Sequence, residues 1–258
     1  KIIHARMLEF LKDVPNMFRR QSGWQKKRGA QEALFDAMHH IRTAQAKHHA
    51  VGLIKMDIRK FFDTIDREKL WIKLEEIGLR GNLLSWVRQH MNHVRYLVKA
   101  NGAQSEAVEH QLGLPQGSIL SPILSAIFTE DAPDFIMETP HGFRVEECIR
   151  KDVRVFAFQF ADDNSIVITG PDAASVEKEK AAVIKRCENW GRLNSLQFDL
   201  ASGKTEHLST VSGDMSQPLP SMKPIPIPGT SLELHPPRAT NDDLGNPTKH
   251  IMRHLGLT

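Results

Sequence analysis

The chain has 258 residues, 40% hydrophobic and 25% charged, with 34 Lys and Arg against 31 Asp and Glu for a formal net charge of +3. That is an ordinary globular composition with room for one large or two modest domains, and it excludes a strongly basic overall field. The longest apolar candidate, Ile119 to Phe128, is broken by Ser121, Pro122 and Ser125, far short of the roughly 18 residues of a membrane span, and no signal peptide opens the chain.

The basic clusters Arg19-Arg20 and Lys26-Lys27-Arg28 stand ahead of the first strong helical signal. From Gln31 to His49, Ala33, Leu34, Ala37, Met38 and Ile41 recur at spacings of three and four, which predicts one apolar helix face. The run Val51 to Met56 predicts a strand ending at Asp57. Two helices follow, one through Leu70, Ile72, Leu74, Ile77 and Leu79, the next through Leu83, Leu84, Trp86, Val87 and Met91, with Gly78 and Gly81 between. Tyr96 to Ala100 and Ala107 to Gln111 read as a hairpin around Asn101-Gly102. A helix begins at Ser118, after Gly117, with Pro122 in its first turns.

Farther on, Val153 to Phe158 and Ser165 to Thr169 read as antiparallel strands flanking Phe160-Ala161-Asp162-Asp163. Pro171 opens a helix from Asp172 to about Leu193, apolar at Val176, Ala181, Ala182, Ile184 and Trp190, and a strand follows near Thr205 to Val211. Strand, helices, hairpin, helix, strand is a split β-α-β order, an α+β fold. Between Ser212 and Asn246 there are seven prolines among small and polar residues, the pattern of an irregular excursion or linker. Cys148 and Cys187 have no metal-ligand spacing and read as reduced residues of an intracellular protein. The histidines, His39-His40 and His48-His49 among them, read as helix-surface residues.

The chemistry concentrates in three places. An Asp-Asp pair alone is commonly a solvated turn. Here it sits at the tip of an apolar hairpin, where two adjacent carboxylates repel each other unless a cation joins them. Asp57 at a strand end supplies a third carboxylate, and Gly113-Leu114-Pro115-Gln116-Gly117-Ser118 lies between the two as a glycine-rich turn opening a helix. The combination points to a two-metal nucleotidyl transferase.

On six blocks the chain resembles the reverse transcriptases, and more closely the non-LTR retrotransposon branch with its group II intron relatives. The blocks are Gln21-Ser22-Gly23-Trp24 with Lys26-Lys27-Arg28; Met56-Asp57-Ile58-Arg59-Lys60-Phe61-Phe62-Asp63; Gly113 to Pro122; Phe160-Ala161-Asp162-Asp163; Asn194 to Phe198 leading to Lys204-Thr205; and His254-Leu255-Gly256-Leu257-Thr258. The resemblance implies a right-hand polymerase palm, ferredoxin-like in its split β-α-β. Residues 1–50 would be partial fingers, 51–211 the palm with its carboxylates, 212–246 the proline-rich excursion and 247–258 the end of the palm, with no thumb following.

It further implies an RNA-templated DNA polymerase using Mg²⁺, or Mn²⁺, with an RNA template, a DNA primer and deoxynucleoside triphosphates as partners. The location would be nuclear if the source is a eukaryotic retroelement. Asp57 and Asp162 would ligate metal directly, Asp163 would support the primer-side ion, and Ile58 would offer its backbone carbonyl. Arg59, Lys60, Gln116, Gly117 and Lys204 would attend the nucleotide, and Gln21, Gly23, Lys26, Arg28 and Pro115 the nucleic acid. Phe62 is either a core residue or the aromatic under the sugar that rejects a 2′-hydroxyl; the resemblance favours the gate. Phe61 and Ile65 read as buried packing. A non-catalytic nucleic-acid-binding or scaffolding protein built on the same palm is the alternative.

Overall fold

A computed structural model of the chain describes residues 1–25, 28–109, 112–138, 148–150, 152–199, 205–210, 225–226 and 233–234. Helices α1 (Ile2–Lys12) and α2 (Ala30–Ala46) precede strand β1 (Ala50–Met56). A one-turn helix α3 (Phe61–Thr64) leads to α4 (Arg67–Glu76) and α5 (Gly81–Asn92). A ribbon follows, made of β2 (Arg95–Tyr96), β3 (Lys99–Ala100), β4 (Ala103–Gln104) and β5 (Val108–Glu109). Then come α6 (Ser121–Thr129), α7 (Ala132–Met137), β6 (Cys148–Arg150), β7 (Val153–Phe160), β8 (Asp163–Gly170), α8 (Ala173–Leu193) and β9 (Glu206–Thr210). Inside the proline-rich stretch only β10 (Ile225–Pro226) and β11 (Glu233–Leu234), which pair with each other, are described; the rest of the expected excursion, and residues 247–258, lie outside the described residues.

The main sheet runs β6-β7-β8-β1-β9 with every neighbouring pair antiparallel. Among β1, β7, β8 and β9, the spatial order from the β9 edge is fourth, first, third, second, which is the split β-α-β arrangement expected from the element order. Both faces are covered. Val51 and Leu53 pack with Ala37, Ile41 and Ala44 of α2, whereas Ile54 and Met56 pack with Val183, Ile184 and Cys187 of α8 and Ile136 and Met137 of α7. A strand buried on both sides carries apolar residues without alternation, which is why Val51 to Met56 reads as a continuous run. A separate core joins α1, α4, α5 and α6 around Leu70, Trp71, Leu74, Met91 and Phe128.

Several expectations shift by a few residues for identifiable reasons. Helix α6 starts at Ser121 instead of Ser118, because Ser118 N–H donates to Pro115 C=O (3.2 Å) and Ser121 Oγ to the same carbonyl (2.6 Å), closing a turn first. The hairpin does turn at Asn101-Gly102, both at positive φ, but Lys99 pairs with Gln104 and Arg95 with Glu109. Ser105 interrupts the ladder: its N–H donates to Val98 C=O and its hydroxyl accepts from Val98 N–H, both at 2.9 Å.

The histidines correct the reading as helix-surface residues at two positions. His40 stacks on Phe156 at 3.6 Å between centroids, and His207 is buried in β9. Cys187 is buried and unbridged, and burial pushes its thiol up to about 12. Among the described residues no helix is long and apolar enough to cross a membrane.

Candidate active site

Pairing of Met56 with Asn164 puts Asp57, the residue that follows β1, beside Asp163, the first residue of β8. Phe160 pairs with Asp163, so Ala161 and Asp162 form a two-residue turn. Adjacent strands stand about 4.8 Å apart, and the register therefore brings the backbones of the three expected aspartates to the same end of the neighbouring strands β1 and β8, each residue half-buried. Asp163 belongs to the strand and only Asp162 to the turn.

The chain after β1 is strapped in place. Asp199 N–H donates to Asp57 C=O and Arg59 N–H to Gln197 C=O, each at 2.8 Å, flanking an antiparallel bridge between Ile58 and Phe198. In that pattern the bonds belong to the neighbours of Ile58, and its own carbonyl points away from the strap, to the side where β8 lies. The Ile58 side chain is buried. Arg59 and Lys60 are exposed immediately beyond it, Lys60 at φ 48°.

The Ala161-Asp162 turn is held by side-chain amides. Ala161 adopts φ 56°, a left-handed conformation that costs an ordinary L-residue about 1–2 kcal/mol. Gln21 Oε1 accepts from Ala161 N–H (2.8 Å) and from Gly23 N–H (2.8 Å), while Gln21 Nε2 donates to Ala161 C=O (3.1 Å). Asn164 Nδ2 donates to Asp162 C=O (3.1 Å). Gln21 has 0% exposure, which corrects the expectation that it contacts nucleic acid: its amide is committed to the turn. Gly23 is likewise corrected, because its Cα lies against the turn and a Cβ there would sit 2.5 Å from Ala161 N.

The glycine-rich loop docks on α3. Leu114 N–H donates to Phe62 C=O at 2.7 Å, and a Cβ on Gly113, at φ 73°, would meet Phe62 O at 2.6 Å. Only glycine satisfies both constraints. Arg67, buried at the start of α4, secures the loop from below, donating to Gly113 C=O (2.7 Å) and Leu112 C=O (3.3 Å). Gln116 is exposed and donates to Asp63 Oδ1 (3.1 Å); Gly117, at φ 87°, faces open space, and Pro115 is half-buried.

Phe62 is half-buried and meets Phe61 and Trp24 edge-on at 5.4 and 6.4 Å. Phe61 and Ile65 are buried, as expected. Trp24 was legible only as part of the Gln21 to Trp24 block, with no role attached, and Arg67, a charged residue in the first turn of a helix, carried no signal.

The basic N-terminal stretch divides. Arg20 is largely buried against Asp134 (3.2 Å); burial lowers its pKa, reinforced by Arg19 and opposed by Asp134 and Glu130. It therefore holds the N-terminal loop to α7 and is no free phosphate contact. Arg28 is exposed, donating to the carbonyls of Phe18 (3.0 Å) and Arg19 (3.3 Å), and with Arg19 and the exposed Phe35 it lines an open cleft of about 470 Å³. Lys26 and Lys204 lie outside the described residues.

The donor chemistry fits a hard divalent cation. Mg²⁺ takes one or two carboxylates and completes its shell with substrate phosphates and water, and Asp57, Asp162 and Asp163 offer carboxylate oxygens on two neighbouring strands. Among the described residues, no group of three or more His, Cys, Asp or Glu side chains is placed to hold a metal ion.

The family model described as reverse transcriptase (RNA-dependent DNA polymerase) matches residues 1–257. The RNA-directed DNA polymerase from mobile element jockey of Drosophila melanogaster is 26% identical over 181 residues, covering 68% of this chain and 19% of that protein. Its counterpart from Drosophila funebris is 29% identical over 114 residues, 44% of this chain and 12% of that one. The chain thus spans less than a fifth of the length of these relatives. Among solved structures, apo telomerase from Candida tropicalis, truncated from its C-terminal domain, superposes with a TM-score of 0.57 at 14% identity, covering 85% of this chain and 42% of that one. Telomerase from Candida albicans in complex with a fragment of telomeric RNA gives 0.58 at 13% identity, with 85% and 36% covered. These structures share the right-hand polymerase fold, so the sheet described above is a palm.

Proposed function

Because the chain belongs to the reverse transcriptase (RNA-dependent DNA polymerase) family, we propose that it is the core of an RNA-templated DNA polymerase of the non-LTR retrotransposon branch, adding deoxynucleotides to a primer 3′-hydroxyl. The observation that carries this reading is the β1–β8 register, which sets Asp57 beside Asp163 and the Asp162 turn. The mobile-element polymerases among its relatives support the same branch.

In this reading Asp57 and Asp162 would hold Mg²⁺, or Mn²⁺, with Asp163 in support and the Ile58 backbone carbonyl as a further oxygen donor. Two such ions supply activation of the attacking hydroxyl and charge neutralisation of the pyrophosphate leaving group. The rest falls to the protein. Arg59 and Lys60, exposed just past the carboxylate edge, attract and orient the triphosphate. Phe62 stands under the sugar and excludes a 2′-hydroxyl, and Gln116 and Gly117 on the docked loop bound the other side of the nucleotide. Lys204 is the proposed proton donor to pyrophosphate. Arg28 and Pro115, with Lys26, track the template backbone through charge and close approach.

The test is primer extension on an RNA template with Asp162→Asn beside the parent chain. The expected outcome is loss of nucleotide addition with template binding nearly unchanged, because the substitution removes a ligand charge and leaves the phosphate contacts. Equal extension by both proteins would sink the assignment of Asp162. Template binding with no extension by either would return the chain to the scaffold reading.

A further inference from the structure

We propose that Gln21 is a positioning residue for the carboxylate turn, fixing where Asp162 and Asp163 stand; the inference rests on the reading of that turn as the polymerase site. Gln21 lies 140 positions from Ala161 in sequence and touches both of its backbone polar groups. A primary amide presents a donor and an acceptor side by side at one end. It can therefore grip the N–H and the C=O of one residue as a neighbouring strand would.

The grip has a purpose that packing alone does not supply. Ala161 sits at φ 56°, a conformation that a two-residue turn of Ala and Asp does not favour unaided. The conformer of the Ala161-Asp162 turn is held by Gln21 at Ala161 and by Asn164 at the Asp162 carbonyl. The register of the gripping segment is itself set. Gln159 N–H donates to Arg20 C=O (2.9 Å), and Ser22 N–H donates to Gln159 C=O (2.8 Å), a parallel bridge with Gln21 at its centre. Gly23 then lets the segment close on the turn, since any Cβ would collide with Ala161 N. The N-terminal segment is thus a working part of the carboxylate site, although none of its side chains reaches the reacting atoms.

Displacement of a reacting group by about 1 Å costs on the order of 10²-fold in rate. Gln21→Leu keeps the volume and deletes all three hydrogen bonds, so kcat should fall by about 10²-fold and the Mg²⁺ concentration for half-maximal rate should rise. Primer–template affinity and the nucleotide KM should hardly move. Gly23→Ala reaches the same turn by a different route, pushing the segment away, and should show the same signature if Gln21→Leu does not fold.

A readout independent of turnover is Mn²⁺ titration of the full chain, followed by paramagnetic broadening of the amide signals of residues 161–164. Broadening at low Mn²⁺ in the parent chain and only at higher Mn²⁺ in both variants is the expected result. An unchanged Mn²⁺ midpoint with unchanged kcat overturns the proposal, as does a rate loss that merely follows a fall in melting temperature with the Mn²⁺ midpoint unmoved. Absence of broadening at 161–164 in the parent chain removes the metal reading itself, and this inference with it.

Discussion

Two buried polar clusters hold the palm together, and they are built from opposite materials. At the β7–β8 tip, neutral amides hold backbone: Gln21 and Asn164 grip Ala161 and Asp162. Between α8 and β9, charged and titratable side chains hold one another. Lys180, with its side chain at 0% exposure, reaches Glu177 Oε1 (3.1 Å), His207 Nδ1 (2.9 Å) and Ser209 Oγ (2.6 Å), and Ser209 donates to Glu177. Deleting the neutral clamp strands backbone N–H and C=O groups but no charge, whereas removing Lys180 takes a charge out of a network whose other members bond to it. The first cluster therefore governs geometry at the site. The second governs whether β9 stays on the sheet.

The sharpest break between them is Lys180→Ala. The ammonium anchors β9 through His207 and Ser209, and its loss removes those contacts and the charge beside Glu177. Unfolding in urea should show a loss of about 2 kcal/mol, the range for hydrogen bonds made by a charged group. Gln21→Leu should lose less stability and far more kcat. If the two variants lost stability equally, the division of labour would fail.

A smaller effect separates Phe62 from its neighbour. Phe61 is buried and Phe62 half-buried, yet only Phe62 lies beside Trp24 and under the docked glycine loop. Phe62→Val should raise ribonucleotide use relative to deoxynucleotide on the order of 10-fold, the scale of a steric pocket change. Phe61→Val should instead lower stability by about 1–2 kcal/mol and leave sugar choice alone. Competition of labelled ribo- and deoxynucleotides in single-nucleotide extension decides it, and unchanged discrimination in Phe62→Val returns that ring to the core.

Much of this was legible in the chain because the relevant signals are local. The run Val51 to Met56 ends at Asp57 because a doubly covered strand needs apolar side chains on both faces, and the Asp-Asp pair marks a hairpin tip because apolar β-branched runs flank it. What escaped is long-range. Gln21 stands in a block whose resemblance implies contact with nucleic acid, and its partner is 140 positions away; Arg67 has its partner Gly113 46 positions on. Lys180 lies in a helix rich in Lys and Glu, where nothing local distinguishes the one lysine that turns inward to meet a strand formed 27 residues later. A polar residue buried by a distant partner has no periodic signature, since periodicity records only the apolar half of burial.

The smallest effect probes the ionic cluster alone. Burial raises the pKa of Glu177, but the hydrogen bond from Ser209 and the charge of Lys180 outweigh it, leaving the group below its ordinary value of 4.5. A carboxyl whose folded pKa is depressed binds fewer protons folded than unfolded across that interval. Its stabilisation is therefore complete above pH 4.5 and disappears as pH falls through the lower, folded value. Glu177 is partly exposed, its side chain at 44%, so solvent screening holds this contribution to about 0.5 kcal/mol. In Glu177→Gln the total loss of stability on acidification below pH 4.5 should shrink by that amount, while metal dependence at the Asp162 turn stays as in the parent chain. Urea titrations at a series of acidic pH values measure the first and Mn²⁺ broadening at neutral pH the second. A shift in the Mn²⁺ midpoint would mean that the two clusters are coupled through β1, and the contrast between them would no longer hold.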